Sequence, residues 1–331
     1  MKFTKSLMLA VSLLLILAAC GNNNSSSGGA SSGGSSKAEP ATIRVGVVCG
    51  GTNQIPVTIG VEQGLFAEAG LNVEKNCFES GADSVQALIG GSLDVNFGSY
   101  EHVLRQRANG LDVKAYGNFN NRIGYYLLVK SDSSINSVAD LKGKTLGVTK
   151  TGSLSDSGLR MILEQENINP ERDVEIVSAG SGATMLAALE SGKVEAGMIT
   201  EPNVSQMIDS GSYRLLVDPT FDYVGLVAMA KADWVEKNKD AMKTFLSVLK
   251  SIRDRIEAEP RWAAELVIDD YTDVSIDILE QALARWVAGI PSDLVITKEG
   301  ADAVVASQLE LGTISETVPF EDTIDLSLLP N

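Results

Sequence analysis

Five short segments of this chain gather residue types that hold small anions. They read Gly51, Thr52, Asn53, Gln54; then Ser80, Gly81, Ala82, Asp83, Ser84; then Ser99, Tyr100, Glu101; then Thr151, Gly152, Ser153, with Ser155 just beyond; and last residues 178–184, which include Gly182 and Thr184. Each lies between a short apolar run and a helical pattern. Glycine lets a ligand approach the backbone, and hydroxyls supply donors. The first turn of a helix leaves N–H groups unpaired at the positive end of its dipole. Any one segment serves equally well as a plain helix cap, worth about 1 kcal/mol. As a set they describe a site that holds an anionic or zwitterionic group without Arg or Lys.

Signals of catalysis are poor beside this. The single histidine, His102, sits in a polar helix start with no evident partner, so it reads as a surface or cleft-rim residue. One histidine makes a His-based metal site or a Ser-His-Asp arrangement hard to build. Gly143, Lys144 and Thr145 imitate the end of a P-loop, but Val138 stands where its first glycine belongs, and a strand follows. Gly180 and Gly182 begin a dinucleotide fingerprint that Met185 leaves incomplete. Gly29, Ser31 and Gly33 match a hydrolase elbow but lie in Gly/Ser-rich coil without a strand or helix. Asp269, Asp270 and Asp273 read as a solvated helix end rather than a metal site. No catalytic residue, cofactor or metal is expected.

The elements that must position these segments alternate along the chain. Apolar β runs fall at 43–49, 72–78, 93–97 and 113–119, with helical patterns at 54–69, 80–91 and 101–108 between them. The same order restarts after Arg122. Runs at 125–130, 145–149, 174–179, 196–200 and 214–217 alternate with helices at 155–166, 183–191 and up to about 209, and a run at 225–231 follows. Strands separated by helices predict parallel βαβ units in open α/β sheets, which bind ligands beyond the carboxyl ends of their strands. From Ala232 onward the pattern is nearly all helical. Phe245, Val248, Leu249, Ile252 and Ile256 form one apolar stripe.

The amino terminus carries Lys2 and Lys5, an apolar run at 7–17 and small residues up to Cys20. This is the pattern of a cleaved secretory signal; the 13 apolar residues of 7–19 are too few to span a bilayer, which takes about 20. A Gly/Ser-rich stretch follows, and as flexible coil its ~21 residues reach roughly 25 Å. The formal charge is −16, or −18 once the two leader lysines are removed. So acidic a body argues against nucleic acid and against a basic membrane-binding face. Cys49 and Cys77 end two runs expected to be neighbours. They form either a disulfide, which an extracytoplasmic setting permits, or two small buried thiols.

Two resemblances build on these residues. Leu17, Ala18, Ala19 and Cys20 resemble a bacterial lipobox, which implies cleavage before Cys20 and acylation of it. Residues 59–73 (IGVEQGLFAEAGLNV), 87–97 (ALIGGSLDVNF), 137–148 (SVADLKGKTLGV) and 187–202 (AALESGKVEAGMITEP) together resemble the nitrate/sulfonate/taurine-type binding proteins of ABC importers. That family also includes binders of the thiamine pyrimidine precursor.

The resemblance implies a two-lobed periplasmic-binding-protein type II fold with two open, mostly parallel sheets and two hinge crossings. It divides the chain into a signal peptide (1–19), a tether (20–41), a first lobe (42–121 with 225–331) and a second lobe (122–224). It implies a lipid-anchored monomer outside the cell membrane that hands a small solute to a permease and its ATPase. Its pocket loops fall on Thr52, Asn53 and Gln54; Gly81, Asp83 and Ser84; Ser99, Tyr100 and Glu101; Gly152, Ser153 and Ser155; Gly182 and Thr184; and Glu201. Glu201 and Glu101 are placed to pair with the ammonium of a taurine-like zwitterion, and equally to be surface carboxylates. Tyr100, Phe119, Tyr125 and Tyr223 are candidates to stack on a flat heterocycle. The cysteine-rich motif of pyrimidine-precursor synthases is absent from the sequence. A ligand-sensing lipoprotein and an enzyme on the same scaffold are the competing expectations.

Overall fold

The structure, a computed structural model, describes residues 40–330. The expected signal peptide, Cys20 and nearly all of the expected tether lie outside the described residues; Ala41 already belongs to the first strand. The strands are β1 (Ala41–Val48), β2 (Leu71–Phe78), β3 (Val95–Gly98), β4 (Val113–Asn120), β5 (Tyr126–Lys130), β6 (Thr145–Val148), β7 (Glu175–Ser178), β8 (Ala196–Ile199), β9 (Tyr213–Val217) and β10 (Leu226–Lys231). They form two five-stranded sheets, ordered β2-β1-β3-β10-β4 and β7-β6-β8-β5-β9. Both orders are the same pattern used twice.

One strand in each sheet runs against the others. β10 pairs antiparallel with β3 and β4, and β5 pairs antiparallel with β8 and β9. Purely parallel βαβ units do not describe them. Each reversed strand is the first element after the chain crosses between lobes, so no helix intervenes to turn it round.

The helices of the first lobe are α1 (Ile55–Glu62), α2 (Leu65–Glu68), α3 (Gly81–Gly90) and α4 (Tyr100–Ala108). The second lobe carries α5 (Leu154–Gln165), α6 (Gly182–Glu190) and α7 (Asn203–Asp209). After β10 come α8 (Ala232–Lys237), α9 (Lys239–Ala258), α10 (Pro260–Val267), α11 (Ile276–Val287), α12 (Lys298–Glu310) and α13 (Phe320–Thr323). The helix expected over 54–69 is two helices, because the chain turns at Gln63 and Gly64.

Packing explains the hydrophobic pattern. Ile43, Val45 and Val47 of β1 alternate onto one face, and α1 lies over them, apolar on nearly every side. The α9 stripe closes that layer from outside, with Phe245 stacked on Phe66 at 5.3 Å. Each such side chain contributes about 1.5–3 kcal/mol by leaving water. A second core continues without a break from Val103, Leu104 and Met229 of the first lobe, through Ile123 and Val224, to Leu127 and Leu159 of the second. The lobes are therefore welded on the crossing side.

The two crossings run side by side. Gly225 N–H donates to the Asn120 carbonyl at 2.8 Å, and Tyr223 N–H to that of Asn121 at 3.3 Å. A Cβ on Gly225 would land on the Arg122 carbonyl oxygen, so no larger residue fits there. Among the described residues, no helix is long and apolar enough to cross a membrane.

Candidate functional site

The carboxyl ends of the two sheets face each other, and the loops beyond them meet. From the first lobe, Thr52 N–H donates to the Glu201 carbonyl at 2.9 Å. From the second, Ser181 Oγ donates to the Cys49 carbonyl at 3.0 Å and Asn203 Nδ2 to the Gly50 carbonyl at 2.5 Å. Glu79 accepts from Ser181 N–H at 3.1 Å, at the start of α6. Lys150 pairs with Asp83 across the same line and holds that carboxyl below its ordinary range. The lobes are thus closed on one another through main-chain and short polar groups.

A narrow space remains inside the closure, about 20 Å³, lined by Gly51 and Asn53 on one side and Tyr125, Thr149, Ser181 and Gly182 on the other. This is room for about one water. Tyr125 is buried there, and burial pushes its hydroxyl up to about 12, so it stays a neutral donor. Behind it, Thr149, Ser153 and Ser155 share a hydroxyl cluster, with Ser155 Oγ accepting from Thr149 N–H at 2.9 Å. A wider cavity of about 310 Å³ lies toward the crossings. Thr52, Asn53, Arg122, Tyr126, Arg285 and Trp286 line it, with Glu201 and Asp218.

Helix starts place these groups. Gly51 is the extended residue before the single turn at Thr52–Gln54, and Ser80 caps α3 by accepting from Asp83 N–H at 3.1 Å. The turn after β6 brings Gly152 N–H onto the Asp156 carboxylate at 2.7 Å. Cys49 and Cys77, at the ends of paired β1 and β2, are joined as a disulfide. It staples together the strand ends that lead to Gly50 and Glu79.

Not every residue singled out in the sequence faces this cleft. Thr52, Asn53, Gly182 and Glu201 line the two cavities. Asp83 and Thr184 stand at the closing rim, Thr184 Oγ1 donating to Glu79 at 3.4 Å. Ser84 turns inward and donates to Asn96 Oδ1. Tyr100 is fully buried, its hydroxyl 2.7 Å from Thr323 Oγ1. Gln54 is buried, and Phe119 packs on Phe97 in the core at 4.6 Å.

Glu101 is neither a surface group nor free for an ammonium. It accepts from Tyr223 hydroxyl at 2.6 Å and Ser157 Oγ at 3.1 Å, and it pairs with Arg105 at 3.1 Å. Arg105 reaches on to the Gly152 carbonyl at 2.6 Å. This buried network ties α4 to α5 across the lobes, and it occupies Tyr223 as well. His102 is also not a surface residue: it is 2% exposed, facing Gly81. Burial, with the nearby Arg105 charge, lowers its pKa to about 3. Ser99 Oγ and His102 Nε2, like Arg253 Nε far from the cleft loops in sequence, are buried without a hydrogen-bond partner among the described residues.

Sequence reasoning missed Arg285 and Trp286. They come from the last turn of α11, where Arg285 pairs with Glu201 at 2.8 Å and Trp286 Nε1–H donates to Asn53 Oδ1 at 3.0 Å. Among the described residues, no group of His, Cys, Asp and Glu is arranged to hold a metal ion.

Residues 51–263, which run from the Gly51 loop through both sheets, match the family described as NMT1/THI5 like. The chain belongs to that family. A Bacillus subtilis (strain 168) protein provisionally named an aliphatic sulfonates-binding protein is 29% identical over 292 residues, covering 86% of this chain and 85% of that protein. The alkanesulfonate-binding protein SsuA from Xanthomonas axonopodis pv. citri, solved bound to MOPS, superposes with a TM-score of 0.74 at 21% identity, over 88% of this chain and all (100%) of that one. The periplasmic nitrate-binding protein NrtA from Synechocystis PCC 6803 gives a TM-score of 0.61 at 18% identity, over 74% and 70%. The two solved structures share the two-lobed periplasmic binding-protein fold with this NMT1/THI5-like chain.

Proposed function

We propose that this protein is the extracytoplasmic solute-binding component of an ABC importer. It captures a small sulfonate, nitrate or taurine-like solute between its lobes and delivers it to a permease. It works as a non-enzymatic monomer, held at the cell membrane by lipid on Cys20. The observation that carries this reading is the seam between the lobes. Thr52 N–H, Ser181 and Asn203 converge there from opposite sheets on main-chain carbonyls. Donors so placed serve an anion once the lobes part, and closure by hinge motion buries it. The names of the Bacillus and Xanthomonas relatives support a sulfonate. Tyr125 on the wall of the narrow space supports a second reading, a flat pyrimidine precursor.

A thermal-shift panel tests the proposal: nitrate, taurine, alkanesulfonates, bicarbonate and pyrimidine precursors. A solute at 100 times its Kd adds about 2.7 kcal/mol and raises the melting temperature by several degrees. No shift with any of them overturns the solute class. Turnover of a bound solute by the pure protein overturns the non-enzymatic reading.

A further inference from the structure

The Cys49–Cys77 disulfide lies where the first sheet ends and the seam begins. The β1–β2 ladder pairs residues as far as Val48 and Phe78. Past it, Cys49 N–H donates to the Phe78 carbonyl at 3.2 Å, and the disulfide ties Cys49 back to Cys77. Gly50 and Gly51 come next. Gly50 has φ +89°, and two glycines in a row leave the backbone its widest freedom. The disulfide is therefore the fixed point from which this loop reaches the other lobe.

Both strand ends grip the same residue of the second lobe. Ser181, which precedes α6, donates from Oγ to the Cys49 carbonyl at 3.0 Å and from N–H to Glu79 Oε2 at 3.1 Å. Thr184 adds a bond to Glu79 at 3.4 Å. One residue beyond Cys49, the Gly50 carbonyl accepts from Asn203, and a Cβ on Gly50 would stand 3.3 Å from Gly182 Cα. Backbone meets backbone there, with no side chain to absorb a shift. One grip is the carbonyl of a crosslinked cysteine, and the other lies two residues past its partner. The crosslink thus sets their spacing. Cys77 is exposed and Cys49 half-buried, so a reductant reaches the bond from the Cys77 side.

Taking the closed form as the one that holds solute, as the proposed function has it, we infer that this disulfide is a redox-sensitive clamp on lobe closure. Intact, it holds the Cys49 carbonyl and the Glu79 carboxylate on Ser181. Opened by a dithiol, it loosens the seam and the hold on solute, while both sheets stay folded. A thiolate of the dithiol attacks Cys77 Sγ, the Sγ–Sγ bond breaks, and Cys49 leaves as a thiolate that takes a proton. The second thiolate of the reductant then displaces Cys77, which is protonated in turn. The protein gains two electrons and two protons, and the dithiol is oxidised to its own disulfide.

Hydrogen exchange on the full chain, with and without dithiothreitol, tests this with no solute present. Thr52 N–H and Ser181 N–H, one on each side of the seam, should exchange roughly five- to thirtyfold faster after reduction, the loss of one or two hydrogen bonds. Amides of β6 and β8 should stay protected. Ser181→Ala with the disulfide intact should speed exchange at Thr52 by a similar factor. Methanesulfonate, followed by calorimetry, should lose affinity on reduction by that factor too. Unchanged exchange at Ser181 overturns the inference, because the disulfide then has no part in closure. Loss of protection throughout both sheets also overturns it, because the disulfide is then a staple of the whole fold. Failure of methanesulfonate to bind either form counts against the proposed function, and the exchange pattern alone decides the clamp.

Discussion

Replacing Gly51 with alanine tests the closure directly. The backbone there has φ −129° and ψ 180°, which any residue adopts, so the first lobe accepts the methyl group without strain. What forbids it is the other lobe. A Cβ on Gly51 would stand 3.2 Å from Thr200 Cβ, 3.5 Å from the Glu201 carbonyl oxygen, and closer still to Thr200 Oγ1. Carbon atoms pack at about 3.5–4.0 Å, and the β-branched Thr200 has little rotamer freedom, so the seam must open by roughly 1 Å. Thr52 N–H to Glu201, now 2.9 Å, then lies beyond hydrogen-bond range, and the Cys49 and Gly50 carbonyl contacts lengthen with it. The same displacement draws the donors of one lobe away from a solute held by the other, and losing two hydrogen bonds to it costs about 2 kcal/mol of the closed, solute-bound state, or roughly 30-fold in Kd. Calorimetry with the tightest solute of the panel, alongside small-angle scattering, reads both the affinity and the closure. The melting temperature of Gly51→Ala without solute should barely move. Unchanged affinity and an unchanged radius of gyration would refute the idea that this seam closes over the solute.

Three further outcomes follow from the same contacts. Arg105→Met leaves the buried Glu101 carboxylate without its cation and should cost about 3 kcal/mol, read as a lower urea midpoint at constant slope. Because the folded pKa of His102 is lowered to about 3, the unfolded chain binds its proton first as pH falls; stability from this residue is full above about 6.5 and is lost toward 3. Between pH 6 and 5 the slope should approach 1.4 kcal/mol per unit, and His102→Leu should remove that component in pH-dependent denaturation. Opening the disulfide with Cys49→Ser and Cys77→Ser frees a loop of sequence separation 28 and should cost roughly 3–4 kcal/mol of stability in the chain-entropy picture.

The parts of this protein that were legible in sequence are those set by local rules. Apolar runs and glycine-bearing helix starts located nearly every strand, and the recurrence of the alternation after Arg122 marked a second sheet. Direction was not legible, because the composition of β5 and β10 is the same whichever way a strand runs. The site was legible only as a set of loops. A hydroxyl at a helix start has two destinations, and the sequence near Ser84, Tyr100 and Glu101 does not choose between cleft and interior. The choice is made by partners 12, 223 and 122 residues away, at Asn96, Thr323 and Tyr223. Arg285 and Trp286 were hidden for the opposite reason. Helical periodicity assigns them to a helix, and nothing local says that its last turn reaches Asn53, 233 residues earlier.

The insertion of β10 between β3 and β4 has a consequence for synthesis. The second sheet is contiguous in the chain, from β5 to β9, and is complete once Val217 has emerged. The first sheet began to emerge earlier, yet β3 and β4 have no direct pairing and wait for Leu226–Lys231 to bridge them. Folding domain by domain from the amino terminus is therefore reversed here. The middle of the chain matures first, and the lobe that opens the sequence is the last to be finished.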